Sequence, residues 1–323
     1  YALRFPDAAV VGIDVSTASL EATRALAERH GLANLELHQL PIERVAELER
    51  AFDQVVCTGV VHHLVDPGAG LVALRSVTAP GGALVVMIYA RYGRLGVSLL
   101  QDYCRRLGIT PTERELDDLV TTMREIPTNH PIRPLLAGSA DFHDDRAIVD
   151  ALLNPRERSY SVPELFDLVE DAGLRFDRWL RQAPYHADCG SIAETPHAAR
   201  ILELPRREQY AAVELFRGTI TRHSFVARRD DDPADDPLDF SAPEALRFVP
   251  LRIPTMIVVE ERLPDGAAAA LLNRAHSSTD LVMFVDRAER ALFDRIDGRR
   301  SIGDLGPWAA EFTERLWRHD LVV

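Results

Sequence analysis

Apolar and polar residues alternate along the first ninety residues in short runs that predict strands separated by helices. The four predicted strands are Val10–Val15, Leu35–Gln39, Phe52–Thr58 and Ala83–Tyr89. The last of these is apolar throughout, which is typical of a strand that is buried on both faces. Between the strands, apolar residues recur at three- and four-residue intervals, as they do on amphipathic helices. This pattern predicts an α/β fold with a parallel sheet and helices on both of its faces.

The middle of the chain, at about residues 91–155, departs from this alternation. Helices are predicted over Leu95–Leu107 and Thr112–Arg124, and a passage with Pro and His residues follows from Pro127 to Pro134. We interpret the segment as a helical insertion that covers one edge of the sheet. Because it follows the carboxyl end of a strand, a substrate lid would lie there. A helical support without ligand contacts is an equal alternative.

After the insertion the pattern of strands and helices resumes. The predicted elements are a helix from Ser161 or Val162 to Gly173, a strand over Leu174–Leu180, a helix over Pro205–Arg217 and a strand over Thr221–Arg228. They complete a first domain over residues 1–229. Residues 230–239 are predicted to be an acidic linker, because Arg229–Pro237 contains five Asp and two Pro.

Residues 240–323 predict a small α+β domain that resembles a winged-helix module. The predicted elements are a strand over Leu251–Glu261, a helix over Asp265–His276, a strand over Leu281–Val285, helices over Ala288–Asp297, from Ile302 and over Trp308–His319, and a strand over Leu321–Val323. The segment carries 11 Arg against 13 Asp and Glu, which gives little support to a DNA-binding surface. We expect this domain to cover a pocket or to form a homodimer.

Composition narrows the classes of function. Hydrophobic residues make up 46% of the 323 residues, enough to bury a substantial core. The formal net charge of −13 argues against nucleic acid and membrane partners, because both require a basic face. The sequence contains no Lys, which excludes lysine Schiff-base chemistry and lysine-dependent phosphate loops.

The cysteines indicate a reducing compartment. Cys57, Cys104 and Cys189 are widely spaced and match neither a disulfide framework nor a zinc pattern. No apolar run reaches membrane-spanning length and no signal peptide is visible. We therefore expect a cytoplasmic protein without contact to a membrane.

Metal chemistry is not expected either. The residues that could be imagined as a ligand set are His130, His143, Asp144, His186 and Cys189. Their spacing matches no known ligand pattern, and a surface position is the simpler reading of each.

Asp14 is the first candidate for chemistry, because it ends the predicted strand Val10–Val15. Ligands of open parallel sheets bind beyond the carboxyl ends of the strands, and a carboxylate there can accept hydrogen bonds from both hydroxyls of a ribose. Taken alone, Asp14 is more simply a cap of the turn before the next helix, for which Ser16 is a plausible N-cap. The segments that follow Asp14 in the sequence favour the ribose-binding interpretation instead.

Four spaced segments resemble motifs of the class I S-adenosylmethionine-dependent methyltransferases, of the small-molecule type related to quinone and sterol methylating enzymes. They are Val10–Ser16, Asn34–Glu43, Phe52–Leu64 and Ala79–Leu84. The third, with the sequence FDQVVCTGVVHHL, is the most specific of them. The resemblance extends roughly from Phe5 to Arg229 and implies a Rossmann-like, doubly wound methyltransferase sheet.

The resemblance implies S-adenosylmethionine as the cofactor and methyl transfer to a small-molecule acceptor as the reaction. Asp14, followed by Val15, matches the acidic residue that holds the ribose hydroxyls. Thr58 and Gly59 match the segment that lines the methionine end of the cofactor.

The adenine end departs from the family pattern. Leu40, Pro41 and Ile42 stand where the family usually has Gly-Asp-Ala, so the carboxylate that commonly meets the adenine amino group is absent at Pro41. Ile42 would still pack on the adenine face and offer its backbone N–H to a ring nitrogen. The resemblance therefore implies a weakened adenine contact.

The acceptor would lie beyond the third and fourth predicted strands. His62 and His63 are candidate bases, because imidazole titrates near neutral pH, although either could merely pack or bond to the backbone. Candidates for the pocket lining are Tyr89, Arg91, Tyr92 and Tyr160, with Tyr185 and His186 as weaker ones. The alternative for Tyr89, Arg91 and Tyr92 is that they brace the insertion.

The largest departure is at the amino terminus. The first motif of the family is a strand followed by a glycine-rich loop, and the nine residues before Val10 do not contain it. We therefore expect an N-terminally truncated methyltransferase whose first strand and glycine loop are missing, and weak or no cofactor binding by the chain alone. The alternative is a non-catalytic methyltransferase-like protein that acts through its C-terminal domain. The acceptor, and the choice between O-, N- and C-methylation, are not predicted.

Overall fold

The computed structural model describes residues 1–138, 151–154, 156–233 and 238–323. Its first ninety residues follow the predicted alternation. The elements are β1 (Val10–Asp14), α1 (Thr17–Arg29), β2 (Leu35–Gln39), β3 (Phe52–Thr58), α2 (Pro67–Ser76) and β4 (Thr78–Ala90), with 3-10 helices at Ile42–Leu48 and Val61–His63. Local capping explains the helix starts, since Ser16 caps α1 and Asp66 caps α2 through side-chain acceptors.

The central part of the chain is mainly helical. Its elements are α3 (Leu95–Leu107), α4 (Glu113–Arg124), α5 (Arg133–Gly138), β5 (Ser159–Tyr160), α6 (Val162–Asp171), β6 (Leu174–Trp179), α7 (Ala198–Leu202), α8 (Arg206–Arg217) and β7 (Arg222–Arg229). Ser161 and Glu164 form a capping box at the start of α6. Residues 139–150 and 155 of the predicted insertion lie outside the described residues, and its role as a lid stays a prediction.

The main sheet has the strand order β3-β4-β7-β6, with β5 beside β4. Strands β3 and β4 are parallel, whereas β7 is antiparallel to both of its neighbours, β4 and β6. The parallel pairing of β3 with β4 confirms the arrangement predicted from the first ninety residues, whereas the direction of β7, which follows much later, was not predicted because hydrophobic periodicity carries no information about strand direction. Strands β1 and β2 pair in parallel with each other, and among the described residues they join no other strand.

Strand β4 differs from its prediction in length and burial. It begins at Thr78 rather than Ala83, because Phe52 pairs with Thr78 before a register shift that leads to the pair of Gln54 and Ala83. Burial alternates along β4 instead of being complete on both faces. The fully buried face carries Leu84, Val86, Ile88 and Ala90 and contributes to the main core. The other face is half-buried.

Further clusters of buried residues lie outside the main core, and two of them are large. The helical segment has its own cluster, which includes Val97, Leu100, Cys104, Leu119 and Met123. Residues 240–322 form another cluster around Phe293, Ile302 and Leu316. No described helix combines the length and apolar character that crossing a bilayer requires.

The C-terminal segment consists of a three-stranded antiparallel sheet and three helices. Its elements are β8 (Met256–Val259), β9 (Ala269–Asn273), β10 (Val282–Val285), α9 (Arg287–Asp294), α10 (Ile302–Leu305) and α11 (Ala309–Arg318). Val322 pairs with Arg252 through an isolated bridge. The resemblance of this segment to a winged-helix module stays a prediction, and so do the domain limits; residues 234–237 of the predicted linker lie outside the described residues.

The prediction of a helix over Asp265–His276 is wrong, because Ala269–Asn273 forms β9, the middle strand of the C-terminal sheet. Alanine has the highest intrinsic helix propensity, and the run of four Ala therefore favours a helix locally. In the folded chain, β8 and β10 supply hydrogen bonds on both sides of β9. Ala269 and Leu271 are completely buried there, and this tertiary burial overrides the local preference.

The C-terminal segment is attached to the first part of the chain by buried polar contacts. The Asp320 carboxylate accepts the backbone N–H groups of Gln182 at 2.9 Å and Ala183 at 3.0 Å. Burial raises the pKa of Asp320 to about 6. Arg217 donates to both carboxylate oxygens of Asp280 at 3.0 Å. These contacts fix the two parts against each other through side chains that sequence patterns do not single out.

Candidate functional site

The carboxyl ends of β1 and β3 carry the predicted cofactor residues. Asp14 is half-buried at the end of β1, and its Oδ1 accepts the backbone N–H of Ser16 at 2.8 Å. The Asp14 carbonyl accepts the N–H of Leu40 at 3.1 Å, which ties the ends of β1 and β2 together. Val15 is 65% exposed. Asp14 therefore does cap its turn, and this role leaves its carboxylate beside the exposed end of the strand.

The adenine-side candidates follow β2, and the methionine-side candidates follow β3. Pro41 and Ile42 are half-buried at the start of the 3-10 turn that follows β2. Ile42 packs against the main core. Thr58 is exposed at the end of β3, and Gly59 adopts a positive φ of 77° that favours glycine. The Gly59 N–H donates to the Met87 carbonyl at 3.2 Å, so the turn is held against β4.

His62 is completely buried in the turn that follows β3. Its ring centroid lies 4.1 Å from that of Tyr89 and 4.2 Å from that of His63. Within the described part of the chain, neither ring nitrogen of His62 has a hydrogen-bond partner. Burial lowers the pKa of His62 to about 3, so the imidazole is neutral at physiological pH and enclosed by other side chains.

His63 is half-buried and differs from His62 in having a polar partner. Its Nδ1 lies 3.2 Å from the Nδ2 of Asn154, and its ring meets Tyr89 edge-on at 5.9 Å. Asn154 was not predicted as a site residue. It lies 91 positions away in the sequence, and no local pattern marks it. Of the two histidines, His63 is thus the less enclosed one.

Tyr89 packs against the arginine of a buried ion pair. The Arg94 guanidinium carbon lies 3.5 Å from the Tyr89 ring centroid. Arg94 donates to Glu157 at 2.8 Å, and the two side chains are only 2% and 6% exposed. Gln101 donates to the same Glu157 oxygen at 3.1 Å. No local sequence pattern predicts this pair, because Arg94 lies near the start of the insertion and Glu157 just after its end, 63 positions away.

The remaining pocket candidates follow β4 and β5. Arg91 forms an ion pair with Glu164 at 2.7 Å, and its N–H donates to the Tyr160 carbonyl at 2.9 Å. Burial raises the pKa of Tyr160. Tyr92 is 38% exposed. These contacts show that Arg91 braces the start of α6, and they leave the role of all three residues in a pocket as a prediction.

Tyr185 lies in the protein interior. Its ring stacks on Trp179 at 3.8 Å between centroids, and its hydroxyl lies 2.8 Å from the Nδ1 of His223. The other ring nitrogen of His223 lies 3.2 Å from Glu214. This buried triad was not predicted, and it gives Tyr185 a structural role.

His186 is also enclosed. The Nδ1 of His186 lies 3.7 Å from the Oδ1 of Asp188, and burial lowers the pKa of His186 to about 4. Among the described residues, no three His, Cys, Asp or Glu side chains converge on one point where a metal ion could bind. His143 and Asp144 lie outside the described residues. A cleft of about 380 Å³ lies between α1 and β2, lined by residues such as Arg24, Leu32 and Leu37, and it contains none of the site candidates.

Comparison with known proteins relates the first part of the chain to a described family. Residues 1–125 match a family model described as a methyltransferase domain. The chain is 30% identical over 240 residues to an uncharacterised protein of Synechococcus sp., a match that covers 72% of the chain and 57% of that protein. It is 36% identical over 74 residues to the ubiquinone biosynthesis O-methyltransferase of Acinetobacter baylyi. This match covers 23% of the chain and 31% of that enzyme.

A solved structure shares the fold. PKMT2 from Rickettsia typhi, whose structure is in complex with AdoHcy, superposes with a TM-score of 0.64 at 13% identity, over 98% of the chain and 65% of PKMT2. The chain thus spans less than two thirds of the length of each of these relatives. Residues 1–125 thus match a methyltransferase domain, in line with the resemblance of the four spaced segments to the class I S-adenosylmethionine-dependent methyltransferases, and the chain shares the fold of PKMT2.

Proposed function

We propose that the protein binds S-adenosylmethionine at the ends of β1, β2 and β3 and transfers its methyl group to a small-molecule acceptor beside His63 and Tyr89. The observation that carries this proposal is the position of Asp14. It is half-buried at the end of β1, where one of its oxygens holds the turn. A carboxylate has about four acceptor positions, so the same side chain can also accept ribose hydroxyls.

The bound cofactor would supply a methyl group on a positively charged sulfur. The residues of this chain would bind and orient it, since positioning accounts for much of catalysis in a direct transfer. Asp14 would hold the ribose, with Val15 beside it. Leu40, Pro41 and Ile42 would border the adenine.

The transfer itself would take place at the end of β3. Thr58 and Gly59 would line the reactive end of the cofactor, and His63, Tyr89, Arg91, Tyr92 and Tyr160 would surround the acceptor. His62 would support the ring of Tyr89 from the interior, with which it is in contact. The alternative of a non-catalytic protein is not favoured, because the family match covers the segment with the cofactor candidates.

The proposal extends to the organisation of the chain. We divide the chain into a methyltransferase domain over residues 1–229, an acidic linker over 230–239 and a C-terminal domain over 240–323. The separate buried clusters support it. A homodimer formed through the C-terminal domain and a cytoplasmic location belong to the same hypothesis.

Calorimetric titration of S-adenosylmethionine and of S-adenosylhomocysteine into the protein expressed from its complete reading frame tests the proposal. We expect both compounds to bind, and Asp14→Ala to weaken binding. Asp7→Ala is a matched control, because Asp7 is an exposed carboxylate outside the strands. Absence of binding would contradict the proposed function, and equal binding by the Asp14 and Asp7 variants would contradict the ribose assignment.

A further inference from the structure

We infer that the Arg158 guanidinium and the Tyr160 hydroxyl form an anion site, and that this site binds a carboxylate or phosphate group of the methyl acceptor. The acceptor would then be a small anionic compound. The statement that the bound anion is the methyl acceptor rests on the proposed function. The statement that an anion binds rests on contacts within the chain alone.

The backbone of Arg158 is fixed between two strand ends. Its N–H donates to the His62 carbonyl at 3.1 Å, which attaches it to the turn that follows β3. The next residue, Ser159, pairs with Tyr89 near the end of β4. Strands β3 and β4 are parallel neighbours, so Arg158 lies at the edge of the sheet where their carboxyl ends meet. Ligands of parallel sheets bind at this edge.

The side chains of residues 157 and 158 differ in their surroundings. Glu157 is only 6% exposed and pairs with the buried Arg94, whereas Arg158 is exposed. The Nη2 of Arg158 donates to the Val65 carbonyl at 3.2 Å. Within the part of the chain that the structure describes, no carboxylate lies within ion-pair distance of the Arg158 guanidinium. The guanidinium is therefore held in place by a neutral carbonyl and keeps N–H groups for a ligand.

The Tyr160 hydroxyl is the second donor of the anion site. Tyr160 is half-buried and packs against the main core. Burial raises the pKa of Tyr160, while the charge of Arg158 and a hydrogen bond from its guanidinium oppose that rise. A guanidinium can only donate, so the Tyr160 oxygen accepts in this contact. Its own hydrogen has no acceptor among the described residues and can be donated to a ligand.

The carboxylates of Glu164 and Asp66 act on Tyr160 as well, through their negative charge. Both are engaged elsewhere. Glu164 forms an ion pair with Arg91 at 2.7 Å, and Asp66 caps the first turn of α2. Neither therefore neutralises Arg158 in the described structure, and the anion site keeps its positive charge.

Donors that converge without an acceptor favour an anionic ligand. The planar guanidinium matches two oxygens of a carboxylate or a phosphate, and the neighbouring hydroxyl adds a further hydrogen bond. The chain as a whole has a formal net charge of −13, which repels anions at long range. Binding of an anionic acceptor should therefore depend strongly on the local positive charge of Arg158.

Titration of the protein with benzoate, phenyl phosphate and uncharged benzamide tests the anion site. Binding is followed by NMR of isotope-labelled tyrosine rings, and the Tyr160 signal is identified by its loss in Tyr160→Phe. We expect benzoate or phenyl phosphate to shift this signal with a dissociation constant about tenfold lower than that of benzamide, since hydrogen bonds to charged groups are the stronger ones. The preferred anion distinguishes a carboxylate from a phosphate. Equal affinity for all three compounds would overturn the inference.

Substitutions at two neighbouring arginines separate the site from net charge. Arg158→Gln should weaken binding of the preferred anion about tenfold and leave benzamide unchanged. Arg158→Lys, which keeps the charge without the planar fork, should show a smaller loss and remain folded. Arg156→Gln is the matched control, because Arg156 is also exposed, and it should bind the anions as the wild type does. Equal losses in the two Gln variants, or none in Arg158→Gln, would contradict the site.

The position of the bound anion tests its identification with the acceptor. With S-adenosylmethionine and the preferred anion both bound, we expect intermolecular NOEs between the methyl group of the cofactor and the ring protons of the anion. Their absence would reject the acceptor role. Calorimetry of cofactor binding reports separately on the proposed function. A protein that binds the anion at Tyr160 but binds no cofactor would refute the proposed function and leave the anion site intact.

Discussion

The cofactor side and the acceptor side of the candidate site are held by different kinds of interaction. On the cofactor side, Val15 and Thr58 are exposed, and the strand ends are fixed by backbone hydrogen bonds and one carboxylate cap. On the acceptor side, His62 and Arg94 are almost completely buried and belong to a network of ring contacts and an ion pair. The two sides should therefore respond differently to substitution.

The packing beneath the two sides explains the difference. Strands β1 and β2 form a sheet of only two strands, and Leu20 is the one fully buried residue of α1 within the described structure. A sheet of two strands has marginal stability by itself. The acceptor side rests on β3 and β4, whose buried residues belong to the main core. Changes on the acceptor side should affect folding, whereas changes on the cofactor side should mainly affect binding.

The largest effect is expected for Glu157→Gln. This variant removes the negative charge from the buried pair of Arg94 and Glu157, and breaking a buried ion pair should lower the free energy of unfolding by about 3–5 kcal/mol. Urea denaturation of the wild type and the variant measures the change. A loss below about 1 kcal/mol would mean that the pair behaves like an exposed one, and the contrast between the two sides would then fail.

A smaller effect, on binding rather than folding, is expected for Asp14→Ala. Loss of hydrogen bonds to a charged group should weaken S-adenosylmethionine binding by about 1–3 kcal/mol. The free energy of unfolding should fall by only about 0.5–1 kcal/mol, because one partly exposed turn cap is lost. Calorimetry and urea denaturation of the same preparation separate the two quantities. A loss of stability as large as that of Glu157→Gln would erase the distinction between the sides.

Acidification should destabilise the protein through its buried histidines. Burial lowers the pKa of His62 to about 3 and those of His186 and His276 to about 4. Between those values and 6.5, the unfolded chain binds protons that the folded chain does not, so the stability present above pH 6.5 is lost as the pH falls. The raised pKa of Asp320, about 6, acts in the opposite direction, but the buried histidines with a lowered pKa outnumber it.

His62→Phe tests the acceptor-side part of this pH dependence. The replacement removes a group that binds a proton in the unfolded chain but not in the folded one. The free energy of unfolding should therefore fall less steeply below pH 6.5, by about 1 kcal/mol per pH unit. Stability near pH 7 should change little, because the histidine ring nitrogens have no hydrogen-bond partner among the described residues. Urea denaturation between pH 5 and 7 gives both quantities, and an unchanged slope would show that His62 is accessible to protons in the folded state.

The smallest effect is expected for Glu47→Gln, which removes an ion pair on the cofactor side. Arg44 and Glu47 are 61% and 52% exposed, and solvent screening leaves such exposed pairs with little effect on stability. The same urea experiment that measures Glu157→Gln provides this value. Equal losses for Glu47→Gln and Glu157→Gln would show that burial does not distinguish the two ion pairs.

Most elements of the first part of the chain could be predicted from sequence, because their signals are local. The bounds of β2, β3 and α3 agree with the predicted ones, since apolar runs, caps and glycines mark them directly. The prediction of a helix over Asp265–His276 was wrong, because burial between β8 and β10 overrides the helix preference of alanine. The direction of β7 likewise depends on its neighbours in the sheet.

The candidate site divides in the same way. Local sequence determined that Asp14, Thr58 and Gly59 stand at strand ends, and that His62 and His63 follow in the next turn, because strand periodicity and turn chemistry act over a few residues. Only the tertiary structure decided that His62 is enclosed while His63 meets Asn154, and that Arg94 and Glu157 support Tyr89. These contacts join residues 63 to 91 positions apart, and the physical quantities that select them, burial and charge compensation, exist only once the chain is folded.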